Sequence, residues 1–453
     1  MEKDKQRYVS PLSNRYVSEQ MQYLFSEENR ILTWRKLWIA LAEAEMNAGL
    51  FIIKPEMIAE MKAQKYNIDW EFAAEKEREI QHDVMAHVHA FGEVSPEAAG
   101  IIHLGATSCF VTDNADLVIF REALKLLHQR LLAIMNNLAE FALKYKDMTT
   151  LGYTHFQPAQ PTTVGKRATL WLSDFYVATQ EIEHVIENMK FRGIKGATGT
   201  QASFMTLFDN DSTKIDKVDL EITQAFGFDE VYPVTGQTYS RIEDIKIMNA
   251  LTLVAPASAK FAGDMRLLAH EKELQEPFGK KQVGSSAMPY KRNPMKSERV
   301  CSLARFLKNL SMNAQDTHQH QWLERTLDDS ANRRLTMPEA FLTADAILEL
   351  CADTTKNIQV NKEVIKKNMN ENSTFMFIED LLLLAVTKGF NRQEIHERLR
   401  KISVGKTALE LADELLKDNF FAEFCKSTKI NIGRAVEQTN EFINTIKKYI
   451  KTN

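Results

Sequence analysis

A heptad pattern in the middle of the chain constrains the fold more than any other feature. No glycine or proline occurs between Gly105 and Gly152. Two apolar series of period seven run through this window, offset by three residues: Leu117, Leu124, Leu131, Leu138 and Tyr145, and Phe120, Leu127, Ile134 and Phe141. This register predicts one helix of about 33 residues, roughly 50 Å long, packed lengthwise against partner helices. Thr112 and Asp113 are its predicted N-cap.

Other long windows without glycine or proline extend the helical prediction. They are Lys166–Arg192, Met295–Met337 and Glu339–Lys388, and only Pro338, predicted to kink or join two helices, separates the last two. No segment alternates with period two for long enough to predict a sheet, although short hairpins stay open. We therefore predict an all-α protein of three helical domains: 1–107, a central long-helix bundle and oligomerisation domain at 108–360, and 361–453.

Composition excludes several classes of function. A formal charge of −4 gives no bulk basicity for binding nucleic acid. The four cysteines are far apart and form no CxxC pair, which predicts free thiols in a reducing compartment and no structural zinc. The first ten residues lack the apolar run of a secretory signal, and the longest aliphatic run, Leu381–Val386, is too short to span a bilayer. We expect a soluble, cytoplasmic protein without a membrane partner.

The segment Gln282–Arg299, QVGSSAMPYKRNPMKSER, concentrates hydroxyls and cations between predicted helices. Gly284, Pro289 and Pro294 make a regular helix improbable, so the segment is predicted to be a loop. A cationic, serine-bearing loop between rigid helices suits chemistry on an anion. The alternative is a surface connector with ordinary solvated charges.

Two further stretches contain histidines with polar neighbours. In Leu151–Arg167, Thr154 and His155 are expected just before a long helix, whose N-terminus would favour an anion. A histidine can exchange a proton near neutral pH, although a lone histidine is often structural. His82, beside Asp83, lies in a stretch whose histidine spacing does not fit a zinc helix. The functional alternative is that His82 contacts a substrate.

Three polar segments have both a structural and a functional interpretation. Thr107 and Ser108 precede the heptad helix and can serve as turn or cap residues. The loop Arg192–Ser203 matches neither GxGxxG nor a P-loop, but its backbone N–H groups could approach a carboxylate.

In the third segment, Trp322–Arg334, Ser330 and Arg334 share a helical face that could bind one phosphate. The structural alternative is a pair of intrahelical salt bridges, from Arg325 to Asp329 and from Asp329 to Arg333.

Together these stretches resemble the fumarase/aspartase superfamily and, within it, the adenylosuccinate lyases. The superfamily motif GSSxMPxKxNP is complete at Gly284–Pro294. Tyr290 and Arg292 within it are typical of that branch, as are DDSANRR, HLGATS and THFQPAQPTTVGKR. The resemblance runs from SPLSNRY at residue 10 to HERLRKIS at residue 403, which is most of the chain.

The resemblance implies both an architecture and a reaction. The architecture is three all-α domains around a long-helix bundle, in a homotetramer whose active sites are shared among three subunits. The reaction is anti β-elimination of fumarate from adenylosuccinate, giving AMP, and from the succinyl-carboxamide imidazole ribotide SAICAR, giving AICAR. It needs no metal and no organic cofactor.

Catalytic roles follow from the same match. Ser285 would remove the β-proton of the succinyl group, and His155 would protonate the departing nitrogen. Lys291 would supply a positive field for the serine alkoxide and for the aci-carboxylate formed next. Asn293 would hold a carboxylate, and Glu298 would pair with His155 and orient it.

Further positions resemble residues that bind and orient the substrate. One group is expected to position the substrate: His82, Asp83, Thr107, Ser108, Thr154 and Gln237. Of these, His82 is also counted among the catalytic residues. A second group resembles the ribose-phosphate and succinyl contacts: Arg15, Tyr16, Arg299, Arg325, Ser330 and Arg334. Gln81 departs from the arginine usual in animal relatives, which removes a possible phosphate contact and leaves more of that role to Arg15 and Arg334.

Two alternatives stay open. One is another lyase of the superfamily, such as argininosuccinate lyase, against which Tyr290, Arg292 and the Ser330–Arg334 pair argue. The other is a non-catalytic scaffold with the lyase fold. Such proteins commonly lack a catalytic group, whereas this chain retains Ser285, His155, Lys291 and Glu298.

Overall fold

The computed structural model describes residues 6–425 and 430–452, and it confirms the predicted all-α class. A π-helical turn at Leu12–Tyr16 precedes the helices. The helices are α1 Glu19–Leu24, α2 Glu27–Asn47, α3 Pro55–Gln64, α4 Trp70–Ile80, α5 Asp83–Val94, α6 Ser108–Lys144, α7 Val164–Asn188, α8 Ala202–Leu207, α9 Ser212–Ala225, α10 Ile242–His270, α11 Met295–Gln319, α12 Asp329–Lys356, α13 Lys362–Glu371, α14 Ser373–Thr387, α15 Arg392–Ser403, α16 Ala408–Lys417, α17 Asn419–Cys425 and α18 Ala435–Thr452. The strands are β1 Thr149–Thr154, β2 Gln157–Thr163, β3 Leu274–Gln275 and β4 Gln359–Val360.

Helix α6 contains the heptad pattern and confirms its meaning. Every heptad position is buried except Tyr145, which is half-buried just after the helix ends. The predicted N-cap is wrong, because α6 begins at Ser108 and Thr112 and Asp113 lie inside it. The Asp113 carboxylate instead accepts a hydrogen bond from the backbone N–H of Tyr239 at 3.0 Å.

The long windows after Met295 break at positions that glycine and proline do not mark. Helix α11 ends at Gln319, and Pro338, predicted as a kink or junction, lies inside α12. The break contains Leu323 with a φ of 51°, and the neighbouring Glu324 carbonyl accepts the backbone N–H of Gln237 at 2.9 Å. A tertiary hydrogen bond therefore takes the place of helical bonding here. The window up to Lys388 is divided by β4, which pairs antiparallel with β3.

The segment around His155 is a β-hairpin, a possibility that the sequence left open. Strands β1 and β2 pair antiparallel from Thr149↔Thr163 to Thr154↔Gln157, with a register shift between Leu151 and Tyr153. That shift is at Gly152, where a Cβ would lie 2.4 Å from the Gln160 carbonyl oxygen. The expected position of Thr154 and His155 at a helix N-terminus is wrong, because α7 begins only at Val164.

The chain divides into two compact units. The first comprises the residues up to Arg130, Ala178–Pro256 and Ser302–Glu349; the second comprises Leu131–Val177, Ala257–Cys301 and the residues from Leu350. Aromatic side chains such as Trp34, Trp38 and Phe91 fill the core of the first unit. Leu381, Leu411 and Phe421 form a core of the second, and Met369 and Met376 pack against Leu151 of the hairpin. The division into three domains stays a prediction. None of the described helices has the length and apolar character needed to cross a bilayer.

Glu45 on α2 has a fully buried side chain, and neither carboxylate oxygen has a hydrogen-bond partner among the described residues. Burial raises its pKa from 4.5 to about 9, so folding at intermediate pH requires uptake of a proton. Stability should therefore fall as pH rises from 4.5 towards 9.

We expect Glu45→Gln to stabilise the protein by about 3 kcal/mol at pH 8 and much less at pH 5, because glutamine needs no proton. Thermal unfolding at both pH values measures the difference. Glu43→Gln is the matched control, since Glu43 lies on the same helix in a partly exposed ion pair with Lys62. Wild-type pH dependence in the Glu45 variant would contradict the assignment.

Candidate active site

A cavity of about 1030 Å³ in the first unit brings together many of the predicted substrate residues. It is large enough for a nucleotide. Seven predicted residues line it: His82, Asp83, Ser108, Gln237, Arg325, Ser330 and Arg334. Thr107, Arg15 and Tyr16 belong to the same unit but do not line the cavity; the guanidinium carbon of Arg15 lies 6.0 Å from the Tyr16 ring centroid.

A buried charge network forms one wall of this cavity. Arg241 donates to both oxygens of Asp113 at 3.1 Å, and its Nε donates to Asp329 at 2.9 Å. These three side chains are each 2% exposed. Arg325 donates to the other oxygen of Asp329 at 2.8 Å, which confirms that predicted salt bridge although Arg325 precedes α12. Burial would raise the pKa of Asp329, but Arg241 and Arg325 lower it below its ordinary value.

Arg333 lies at the centre of a second buried network. It donates to Asp244 at 2.7 Å, to Asp116 at 3.0 Å and to the Tyr239 hydroxyl at 2.7 Å. The predicted Asp329–Arg333 pair is therefore wrong, because Arg333 binds acids from α6 and α10 instead. Burial raises the pKa of Asp116, and the positive charge of Arg333 opposes this shift.

His82 and Ser108 are close to hydrogen-bond distance. The Nδ1 atom of His82 accepts the backbone N–H of Met85 at 3.3 Å and caps α5. In the neutral imidazole the proton then lies on Nε2, 3.5 Å from the Ser108 hydroxyl oxygen. The ring is thereby held with one N–H directed to the Ser108 side of the cavity.

Asp83 and Gln237 are fixed by contacts within the first unit. Asp83 accepts a hydrogen bond from Arg334 at 2.8 Å, so this predicted phosphate ligand has a carboxylate partner. The Gln237 side chain donates to the Ala197 carbonyl at 3.2 Å, and its own backbone carbonyl accepts from Arg192 at 2.8 Å. The loop Arg192–Ser203 also meets a carboxylate, since Ile194 N–H donates to Asp219 at 2.9 Å.

His155 lies at the tip of the hairpin in the second unit. It and Phe156 are the two loop residues between Thr154 and Gln157, and their φ angles are 52° and 56°. Positive φ at both central residues is what a tight two-residue hairpin turn requires, yet the position normally favours asparagine or glycine. Backbone strain of this kind is found mainly at functional sites. The strained, exposed His155 at the loop tip is therefore a candidate functional residue on geometric grounds.

The base of the hairpin is braced by Glu273, which is completely buried. Its carboxylate accepts hydrogen bonds from Thr150 of β1 at 3.3 Å and from Asn368 of α13 at 3.0 Å. Arg167 of α7 lies 3.6 Å from the same carboxylate and donates to the Leu151 carbonyl at 2.6 Å. The strands are thus fixed to two helices of the second unit while the tip remains exposed.

The predicted loop is confirmed for residues 282–294, whereas Glu298 and Arg299 lie in the first turns of α11. The Ser285 hydroxyl oxygen accepts two backbone N–H groups, from Ala287 at 3.3 Å and from Met288 at 3.0 Å. Asn293 donates to the Gly284 carbonyl at 2.7 Å and so joins the two sides of the loop.

Glu276 closes this loop at its ends. Its buried carboxylate accepts the backbone N–H groups of Lys296 and Ser297 and the hydroxyl of Ser297, each at 3.0 Å. Lys296 in turn donates to the Pro277 carbonyl at 3.3 Å. The loop is therefore tied to the N-terminus of α11, whose first N–H groups need an acceptor.

Lys291 and Glu298 are exposed in this chain. Glu298 borders an open groove on α10 together with His270 and Pro294. Within the part of the chain that the structure describes, Glu298 makes no hydrogen bond or ion pair with His155. Their pairing stays a prediction.

Sequence reasoning missed Arg241, and it gave Asp113 and Arg333 local roles that the structure does not bear out. The partners that these residues have in the structure lie far away in the chain. An acid placed just before a helix start can be predicted to accept its first N–H groups. Glu276 lies too far before Met295 in the sequence for this role to be recognised. Arg30 and Trp34, which also line the cavity, were not marked by any motif.

Comparison with known proteins identifies the chain's relatives. Residues 14–306 match the family model described as Lyase. The adenylosuccinate lyase of Saccharomyces cerevisiae is 46% identical over 97% of this chain and 95% of that protein. The adenylosuccinate lyase of Schistosoma mansoni is 45% identical, with 97% and 95% covered. The crystal structure of 3-carboxy-cis,cis-muconate lactonizing enzyme from Pseudomonas putida superposes with a TM-score of 0.82, at 21% identity over 97% of this chain and 99% of that one.

We expect Glu276→Gln to loosen the loop, because the new amide N–H₂ would face donors at Ser297 instead of accepting from them. Tryptic cleavage at Lys280, Lys281, Lys291 and Arg292 should accelerate, and the free energy of unfolding should drop by about 1–3 kcal/mol. Asp353→Asn is the control, because Asp353 is an exposed partner of Lys296 and contributes little. Equal cleavage of both variants and the wild type would show that Glu276 does not hold the loop.

Proposed function

The chain belongs to the Lyase family and, within it, to the adenylosuccinate lyases, and on this basis we propose that it cleaves adenylosuccinate to AMP and fumarate. The same site would cleave SAICAR to AICAR and fumarate. Both are anti β-eliminations that break a carbon–nitrogen bond in purine biosynthesis.

The hydrogen bonds at Ser285 are the observation that best supports this chemistry. A serine hydroxyl is almost fully protonated at neutral pH, so it can act as a base only where its alkoxide is stabilised. The N–H groups of Ala287 and Met288 are already directed at the oxygen, and such bonds strengthen when the acceptor is charged. Ser285 would then take the proton from the succinyl β-carbon. The electron pair passes into the adjacent carboxylate as an aci-dianion, which Lys291 would stabilise.

His155 would complete the elimination as the general acid. As the electrons return from the aci-carboxylate, the carbon–nitrogen bond breaks, fumarate forms, and the purine nitrogen takes a proton from the imidazolium. His155 is exposed at the hairpin tip, and the brace at Glu273 fixes the strands behind it. Thr154 is adjacent to the ring, and Glu298 would keep the imidazole oriented.

The cavity of the first unit would hold the nucleotide. Ser330 and Arg334 share a face of α12, and Arg325 is held beside them by Asp329. These donors suit a phosphate, and the fixed amide of Gln237 and the Nε2–H of His82 suit neutral polar groups of the substrate. Arg15, Tyr16, Thr107 and Arg299 are proposed to complete the contacts.

We further propose a homotetramer with shared active sites. Large apolar side chains on the long helices remain exposed in the single chain, in agreement with lateral association: Leu170, Val177, Leu267, Phe306, Met312 and Leu335. Sedimentation of the active protein should give the mass of four chains. A fully active monomer would contradict the proposal.

The first test is to mix the protein with adenylosuccinate, follow the purine ultraviolet absorbance and identify the products by mass. We expect AMP and fumarate in equal amounts, and AICAR and fumarate from SAICAR. A folded protein that leaves both substrates unchanged would contradict the proposed function.

In the same assay, Ser285→Ala should lower kcat by roughly 10³-fold or more while leaving the melting temperature nearly unchanged. Ser286→Ala is the matched control. Its hydroxyl makes no hydrogen bond with these amides among the described contacts, and it should retain far more turnover. Comparable rates for Ser285→Ala and the wild type would remove Ser285 from the role of base.

A further inference from the structure

Arg30 and Trp34 line the cavity from α2 and have no role in the site described above. Trp34 is 1% exposed, and its indole N–H has no hydrogen-bond partner among the described residues. The Nε–H of Arg30 also lacks one there. The two side chains are one helical turn apart, and the guanidinium carbon lies 5.4 Å from the indole centroid.

Trp38 shows that the unpaired indole is a special feature of Trp34. Trp38 lies one turn further along α2 and is equally buried, but its Nε1 donates to His103 at 2.9 Å. A buried donor without an acceptor is uncommon in folded proteins. Since Trp34 is one of the residues that line the cavity, a molecule bound there could supply the acceptor after a small shift of the side chain.

The charges of the cavity indicate what kind of acceptor fits. Four other arginines line it, and each has a carboxylate oxygen within 3.1 Å: Arg241, Arg325, Arg333 and Arg334. The carboxylate oxygen nearest to Arg30 is that of Glu27 at 3.6 Å, and the Arg30 and Glu27 side chains are 35% and 66% exposed. Of the cavity's described arginines, Arg30 therefore has the least compensated positive charge.

A histidine packs against the ring of Trp34. The Trp34 ring packs edge-on against His87 at 5.9 Å, and His87 packs against Trp70 at 6.2 Å. Burial lowers the pKa of His87 to about 4, so this histidine is neutral at physiological pH. This part of the cavity thus contains the cation of Arg30, the neutral N–H donor of Trp34 and the carboxylate of Glu27 beside Arg30.

We propose that Arg30 and Trp34 form an anion-binding arm of this cavity, which accepts an anionic oxygen group of the substrate. This inference rests on the proposed function, because the nucleotide offers a phosphate at one end and two carboxylates at the other. Both groups present only acceptor oxygens, which match two N–H donors without acceptors of their own. Arg30 would take over part of the phosphate or carboxylate binding that Gln81 cannot provide.

The test is direct binding of AMP, fumarate and adenosine to the whole protein by calorimetry. Trp34→Phe removes the N–H donor and keeps the ring, and Arg30→Gln removes the charge from a partly exposed side chain. Each variant should weaken one anion roughly tenfold, the loss expected of one hydrogen bond to a charged group. Loss of AMP binding alone assigns the phosphate, and loss of fumarate binding alone assigns a carboxylate. Adenosine should bind as it does to the wild type.

Trp38→Phe is the matched control, because it makes the same chemical change at a donor that already has a partner. It should lower the melting temperature and leave the binding of all three probes unchanged. Wild-type binding of both anions by Arg30→Gln and Trp34→Phe would overturn the proposal, as would equal weakening of adenosine. Should Trp34→Phe fail to fold, Arg30→Gln alone decides. Because binding is measured without turnover, failure of the lyase assay would not be mistaken for failure of this arm.

Discussion

The buried ion pairs of Arg241 and Arg333 are the interactions on which the cavity depends. Each guanidinium is bonded to acids from different helices, so α6, α10 and α12 of the first unit can pack only in the arrangement that satisfies all of them. Removing two charges from water costs free energy. The attraction within a buried ion pair offsets this cost only when nearly all of its hydrogen bonds are formed with good geometry. The network therefore selects one packing of helices that apolar contacts alone would hold less specifically.

The same network sets which residues of α12 face the cavity. Asp329 and Arg333 are one helical turn apart and both point to the buried acids and arginines. Ser330 and Arg334 follow each of them by one residue, about 100° further around the helix, and so lie together on the neighbouring face. The charge network thus explains why the two arginines of the DDSANRR motif, Arg333 and Arg334, have different contacts. Arg333 holds the helix in place, whereas Arg334 lies at the cavity, where it donates to Asp83.

Sequence periodicity could predict the helices but not the contacts that interrupt them. Helix α6 could be predicted from its heptads because its buried side chains recur at a fixed spacing in the sequence. The break before α12 was not, because it depends on the Glu324 carbonyl meeting the backbone of Gln237. His155 was recognised as a candidate, yet its hairpin was hidden by two prolines in β2 and a bulge at Gly152. Asp113 was read as a local cap, whereas its partner Arg241 is 128 residues away.

The loop that carries Ser285 combines fixed ends with an exposed tip, and the two properties serve the proposed chemistry differently. Glu276 and Asn293 fix the backbone around the serine, so the N–H groups of Ala287 and Met288 need no rearrangement as the alkoxide forms. Tyr290, however, is 82% exposed in the single chain, and water around the loop would weaken those bonds and keep the hydroxyl protonated. A serine base therefore needs a cover that the isolated loop lacks. In the proposed homotetramer a neighbouring subunit would supply this cover, which is a physical argument for the proposed sharing of active sites.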